Sequence, residues 1–146
     1  SNARNILLVH NTFMCDEDVV FVSRQSSVVR QEAYYCLCVN ANRYIENVMP
    51  PIDLFRKHNS SIVIGTDSLA SNWSLSVLDE LKTITKHFPS IPLTELLQWA
   101  TYNGARALQM DDRLGSFEKG KAPGVLVLEQ LDNYKIGAAA TVKRIL

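Results

Sequence analysis

The sequence predicts an α/β fold of about three parallel βα units, followed by short strands of a smaller β element. Three observations carry that expectation. The apolar runs Ile6–Val9, Tyr34–Val39 and Ile62–Ile64 each end in polar residues, at His10, at Asn40-Ala41-Asn42 and at Thr66-Asp67. Segments with helical spacing separate and follow these runs. From Leu114 onward, Gly115, Gly120, Pro123 and Gly124 cut the chain into short pieces. A short apolar run that ends in polar residues reads as a buried parallel strand, and strands alternating with helices imply parallel βα units.

In order along the chain, Ser1-Asn2-Ala3 reads as a cloning scar. The strand that follows Arg4-Asn5 starts so abruptly that the chain is expected to open inside a larger protein. After His10, the acidic Asp16, Glu17 and Asp18 suit the N-terminus of a helix running to about Ser26. Tyr34–Val39 is a strand bounded by loop residues Asn40-Ala41-Asn42. Pro50-Pro51 opens a short helix whose apolar face is Ile52, Leu54 and Phe55, and Asn59-Ser60-Ser61 ends it. Beyond Asn72, Leu75, Leu78, Leu81, Ile84 and Phe88 recur at three- and four-residue spacing, with Asp79, Glu80, Lys82 and Lys86 mostly on the other side. Pro89 stops that helix. Pro92 to Met110 is more helix, with Thr94 as its N-cap, Leu96, Leu97, Ala100, Ala105, Ala107 and Leu108 facing inward, and a break or close approach at Gly104. Val125–Leu128 and Thr141–Leu146 are strands, joined by a featureless loop over Ile136 to Ala140.

The chain has 146 residues, 47% hydrophobic and 21% charged, with 15 basic and 15 acidic residues. That is enough for one globular core. A neutral balance argues against a nucleic-acid surface, and no window reaches the roughly 18 apolar residues of a membrane span. Cys36 and Cys38 are one residue apart, the wrong spacing for a CxxC pair. With Cys15 they read as free thiols of a reducing, cytoplasmic compartment, Cys36 and Cys38 packing on one strand face.

Chemistry in parallel α/β folds collects at the carboxyl ends of strands. Asp67 and His10 stand at two such ends, so their side chains are expected on one rim as an acid/base or metal pair. The alternative for Asp67 is a helix cap. His58 and His87 lie in last turns of helices and read as surface residues. The sequence holds no HxH, HxxxH or HExxH, no GxSxG, no Walker loop and no GxGxxG.

Leu8-Val9-His10, Cys38-Val39-Asn40-Ala41-Asn42, Gly65-Thr66-Asp67-Ser68 with Ser71-Asn72, and Glu80 resemble the amidohydrolase superfamily. The resembling branch is that of the cyclic aminohydrolases, which includes guanine, chlorotriazine, S-adenosylhomocysteine and aminodeoxyfutalosine deaminases. The tail agrees in order through Leu93-Thr94, Ala100-Thr101, Asn103-Gly104-Ala105, Ala107-Leu108, Leu114-Gly115-Ser116 and Gly120-Lys121. The resemblance implies the C-terminal part of a (β/α)8 TIM barrel. Ile6–His10, Tyr34–Val39 and Ile62–Asp67 would be its sixth, seventh and eighth strands. Residues 4–113 would belong to the barrel and 114–146 to a small composite β domain. It implies that His10 contacts substrate and the leaving group or attacking water. Asp67 would touch a divalent metal, Zn²⁺ or Fe²⁺, and relay a proton. Asn42, Ser71 and Asn72 are further candidate substrate-binding residues. The family's HxH, strand-five histidine and catalytic glutamate would precede this chain. The family's CPxSN segment lacks its Pro and Ser here, Pro123-Gly124 replace an Ala-Asp, and Asp111-Asp112 replace a smaller residue.

Three hypotheses follow. The chain is the C-terminal portion, inactive alone, of a metal-dependent aminohydrolase acting on a small cyclic substrate. Or it is a non-catalytic partial barrel that binds another chain. Or it is a receiver-like domain with Asp67 as phosphoacceptor, which the lack of an acidic cluster beside Asp67 disfavours. Exposed sheet edges and an apolar inner face predict that the chain self-associates.

Overall fold

The computed structural model describes residues 5–146. β1 (Asn5–Val9), β2 (Glu32–Leu37) and β3 (Ser61–Ile64) form a parallel sheet in that order. α1 (Asp16–Val29) links β1 to β2, and α2 (Val39–Glu46) and α3 (Ile52–Lys57) lie between β2 and β3. After β3 come α4 (Val77–His87), α5 (Leu93–Ala100) and α6 (Tyr102–Ala107), then an antiparallel pair of β4 (Leu126–Glu129) and β5 (Thr141–Arg144).

The register sorts the sheet into two faces. Leu8, Tyr35 and Ile62 lie across from one another, as do Leu37 and Ile64. These residues pack with Val19, Phe55, Leu81, Ile84, Leu96 and Trp99 in the main core, where Tyr35 stacks on Phe55 at 4.7 Å. Full burial of each such side chain stabilises the fold by about 1.5–3 kcal/mol. On the opposite face Tyr34, Cys36 and Val63 gather with Cys38 and Ala41, while Leu7 and Val9 of β1 stay exposed.

One end of the sheet is closed. The Asn5 amide donates to the carbonyls of Arg106 and Ala107 at 2.8 and 3.1 Å. Arg106 pairs with Glu32 at 2.8 Å, and the Asn103 amide donates to the Ile62 carbonyl at 2.8 Å. α6 is thus bonded to the amino-terminal parts of all three strands.

Several sequence expectations need correction. α1 runs to Val29, past Ser26, because its end is set by Arg30 in the left-handed region, whose N–H bonds back to Ser26 and Ser27. Its start is fixed by Asp18, which accepts the Cys15 N–H at 2.9 Å. β2 ends at Leu37, so Cys38 follows the strand rather than lying in it, although both thiols still share one cluster. Asn40, Ala41 and Asn42 form the first turns of α2, not a loop. Leu75 is exposed ahead of α4, whose true start is Ser76 accepting the Asp79 N–H at 3.2 Å. Glu80 is fully buried, not on the solvent side. Pro92, not Thr94, occupies the cap position of α5, its carbonyl accepting from Glu95 and Leu96. The break before α6 falls at Thr101 (φ −131°, ψ −80°); a Cβ on Gly104 would meet nothing within 4 Å. Leu108 points outward at 65% exposure. Ile136 and Ala140 are each only 1% exposed and join the main core, so the connection between β4 and β5 is anchored.

Candidate active site

At the open carboxyl end of the sheet, the chain reverses abruptly after β1 and β3. His10 has φ +69° and Asp67 φ +58°. The left-handed region costs a non-glycine residue roughly 1–3 kcal/mol and persists where the surroundings over-determine it. At His10 the turn is locked by the Asn11 N–H bonding to the Val9 carbonyl at 3.0 Å, while the His10 N–H extends the ladder to Cys36. At Asp67 it is held by Asn72, whose amide donates to the Thr66 carbonyl at 2.6 Å.

The two side chains meet. His10 Nε2 lies 3.7 Å from Asp67 Oδ2, with both side chains about one-third exposed, at 39% and 32%. The other ring nitrogen, Nδ1, is 2.9 Å from Asn42 Oδ1. The Asn42 amide nitrogen is committed to the His10 carbonyl (3.2 Å) and the Thr12 hydroxyl (2.8 Å), which turns its oxygen to the ring. Nδ1 therefore carries the proton in the neutral imidazole, and Nε2 presents a lone pair toward Asp67. Ser71 donates its hydroxyl to Asp67 Oδ2. The structure thus brings His10, Asn42, Asp67 and Ser71 into one run. Asn72 is buried behind it, its side chain engaged by Thr66, Ser74 and Glu80.

Glu80 was not among the candidate site residues read from the sequence. Oε1 accepts from the Asn72 amide at 2.8 Å, and Oε2 accepts the Asn40 N–H at 3.0 Å. Burial raises its carboxyl above the ordinary range, against the lowering pull of bonds from Asn40, Asn72 and Val39. The signal was present: Glu80 sits four residues before Ile84 on the buried stripe of α4. His58 Nε2 is hydrogen-bonded to Asp16 Oδ1 at 3.1 Å, and His87 bonds the Thr83 carbonyl, both away from this run.

Among the described residues, no three His, Cys, Asp or Glu side chains cluster closely enough to hold a metal ion. Asp67 nevertheless offers a carboxylate, a donor that suits Zn²⁺ or Fe²⁺, beside the bare Nε2 of His10. The residues present fit part of a divalent-metal donor set. Cys36 and Cys38 are buried free thiols beneath the rim. A hydrogen bond to Cys36, together with burial, pushes the Cys38 thiol up, so it stays protonated.

The chain is similar to the 5-methylthioadenosine/S-adenosylhomocysteine deaminase of Saccharophagus degradans, at 26% identity over 84% of this chain and 28% of that protein. It is 31% identical to the adenosine deaminase of Helicobacter pylori over 79% of this chain and 27% of that one. Among solved structures, the zinc-bound adenosine deaminase of Xanthomonas campestris matches at TM-score 0.70 and 25% identity, over 84% of this chain and 28% of that one. The aminofutalosine deaminase of Helicobacter pylori matches at TM-score 0.68 and 28% identity, over 89% of this chain and 32% of that one. The chain therefore spans less than a third of the length of these relatives. Its three parallel βα units are the C-terminal part of a TIM barrel, followed by short strands of a small β element. The model of the amidohydrolase family matches residues 2–144, and the chain belongs to that family.

Proposed function

We propose that this chain supplies the strand-six to strand-eight rim of a metal-dependent aminohydrolase. The substrate is a small cyclic molecule bearing an exocyclic amine, of the aminopurine or nucleoside class. The single observation that carries the reading is the facing of His10 Nε2 and Asp67 Oδ2 across 3.7 Å at the open end of the sheet. The deaminase names among its relatives support the substrate class. In this reading the barrel portion is 4–113, of which Arg4 lies outside the described residues, and the small β portion is 114–146.

Asp67 is the residue of this chain that would hold the metal, Zn²⁺ in the first instance and Fe²⁺ in the second. When bound, such an ion lowers the pKa of water to about 7 and so supplies a nucleophile at neutral pH. Asp67 takes the proton that the attacking water loses and passes it to the departing amine, which leaves as ammonia. His10, with Nδ1–H tied to Asn42, offers Nε2 to the substrate or the attacking water. Ser71 holds one Asp67 oxygen in place, which limits the carboxylate to the orientation that faces His10. Asn42 and Asn72 act on the substrate site chiefly by fixing the turns that carry His10 and Asp67. Free thiols and the absence among the described residues of a membrane-spanning helix fit a cytoplasmic enzyme. The chain alone is inactive and self-associates.

The test is ammonia release by the full-length protein from adenosine, 5-methylthioadenosine, S-adenosylhomocysteine and guanine. Activity should vanish on chelation and return with Zn²⁺. A full-length protein that releases no ammonia from these substrates, with metal supplied, sinks the reading.

A further inference from the structure

Away from the reacting pair, the most deeply buried ionisable group is Glu80, at 0% exposure. Two segments converge on its carboxylate. The first is the start of α2. Its cap residue, Cys38, makes no side-chain cap bond, so the first N–H groups of a buried helix need another acceptor. Glu80, reaching across from α4, accepts the Asn40 N–H and takes that role. A negative group at a helix N-terminus is also favoured by the aligned peptide dipoles. Asn42 lies on the same opening turn, and it is Asn42 that grips His10 at both Nδ1 and the carbonyl.

The second segment is the turn after β3. Glu80 Oε1 holds the Asn72 amide, and the same amide nitrogen holds the Thr66 carbonyl. That carbonyl belongs to the peptide unit entering Asp67, the residue with φ +58°. The orientation of this peptide sets where the Asp67 side chain emerges.

We propose that Glu80 is a positioning residue that holds His10 and Asp67 in one shared geometry, capping the helix that carries the grip on His10 and fixing, through Asn72, the peptide that enters Asp67. The proposal deepens the functional reading above and rests on it for the meaning of the pair, but not for the coupling itself. A carboxylate kept only to fill volume would not need two converging sets of donors, since apolar side chains of similar size replace buried charges at little cost.

The test uses the full-length protein, labelled with ¹⁵N and read by NMR at the His10 ring nitrogens and at the Asp67 and Ser71 amides. Wild type should show His10 in the Nδ1–H form. Glu80→Gln keeps the size but turns an NH₂ toward one of the two donors. It should disturb whichever arm meets the NH₂, moving either the His10 ring resonances toward their averaged position or the Asp67 and Ser71 amides. Asn72→Ala cuts the second arm alone and should shift Asp67 and Ser71 while His10 keeps its Nδ1–H form. Glu95→Gln, which breaks the pair with Arg56 elsewhere, should shift neither arm. Glu80→Asp, which retracts both oxygens by one methylene, should shift the two arms together. Both arms silent in Glu80→Gln, either arm silent in Glu80→Asp, or equal shifts in Glu95→Gln, overturns the proposal. Because no turnover is measured, a full-length protein without deaminase activity would refute the functional reading and leave this result standing.

Discussion

His10 and Asp67 approach each other across the carboxyl end of the sheet, Nε2 to Oδ2 at 3.7 Å, although the edge strands that carry them are separated by β2. Both residues sit in the left-handed region just past their strands. If the two share proton transfer, removing either basic group should be felt in turnover rather than in folding. Asp67→Asn in the full-length protein is expected to lower kcat by about 10²–10⁴-fold, the usual worth of a positioned acid/base. Urea denaturation of the same variant should show a much smaller change. Equal ammonia release by wild type and variant would remove Asp67 from the reaction.

Asn42 is a separable case, because it acts on His10 rather than beside it. Asn42 is 2% exposed, and its side chain serves His10 twice and Thr12 once. Asn42→Ala strands the His10 Nδ1–H and leaves the carbonyl without its donor. Losing part-buried intramolecular hydrogen bonds costs about 0.5–1.5 kcal/mol each, so the urea midpoint should fall accordingly. The histidine ring should also lose its preference for the Nδ1–H form. An unchanged midpoint would mean that water takes over these bonds freely.

Much of this arrangement could be read from residues alone, for a physical reason. Ile62-Val63-Ile64 followed by Gly65-Thr66-Asp67 is a local pattern: apolar residues enter a sheet and polar ones leave it. Once the strands are parallel, every strand end shares one rim, so His10 and Asp67 fall on the same side of the sheet; the turns that let them face each other are not legible in that pattern. What escaped the reading depends on distant partners. Asn40 and Asn42 are poor helix formers that favour turns, yet they lie in α2 because a carboxylate 40 positions away caps it. Glu80 looks solvent-facing when only the charges on its helix are counted, and its burial follows from the donors that α2 and Asn72 aim at it. Ile136 and Ala140 sit in a segment with no periodicity, and only docking on the main core buries them.

Gly65 lets the rim approach the thiols. A Cβ there would stand 2.8 Å from Cys36 Sγ and 3.1 Å from Cys38 Sγ. Both sulfurs belong to buried residues with little room to retreat. Gly65→Ala should therefore cost about 1–3 kcal/mol through overpacking. Combining it with Cys36→Ala, which vacates the nearer sulfur, should recover part of the loss. A strictly additive double mutant would show that the steric contact is not the cause.

The buried Glu80 carboxyl makes a pH prediction with a definite sign. Its folded pKa is raised by burial, so between the ordinary carboxylate pKa and the folded value the folded chain holds a proton that the unfolded chain has released. Stability from this group is then full below the ordinary range and declines as pH rises through the folded pKa. Exposed carboxylates such as Asp16 and Glu118, lowered by hydrogen bonds from Lys57 and Lys121, push the other way. The stability difference between wild type and Glu80→Gln isolates the buried group. That difference should shrink as pH is raised from about 4 to about 8. A difference that grows with pH would mean that the hydrogen bonds outweigh burial.

β1 pairs on one side only, and Leu7 and Val9 on its open face are 44% and 48% exposed. Unpaired strand edges and apolar sheet faces both favour association. The described chain is therefore expected to form dimers or larger species at micromolar concentration, detected by light scattering. Leu7→Thr with Val9→Thr keeps β propensity while removing apolar surface, and should shift the population toward monomer. A wild-type chain that scatters as a monomer throughout that range would show that this face is adequately solvated as it stands.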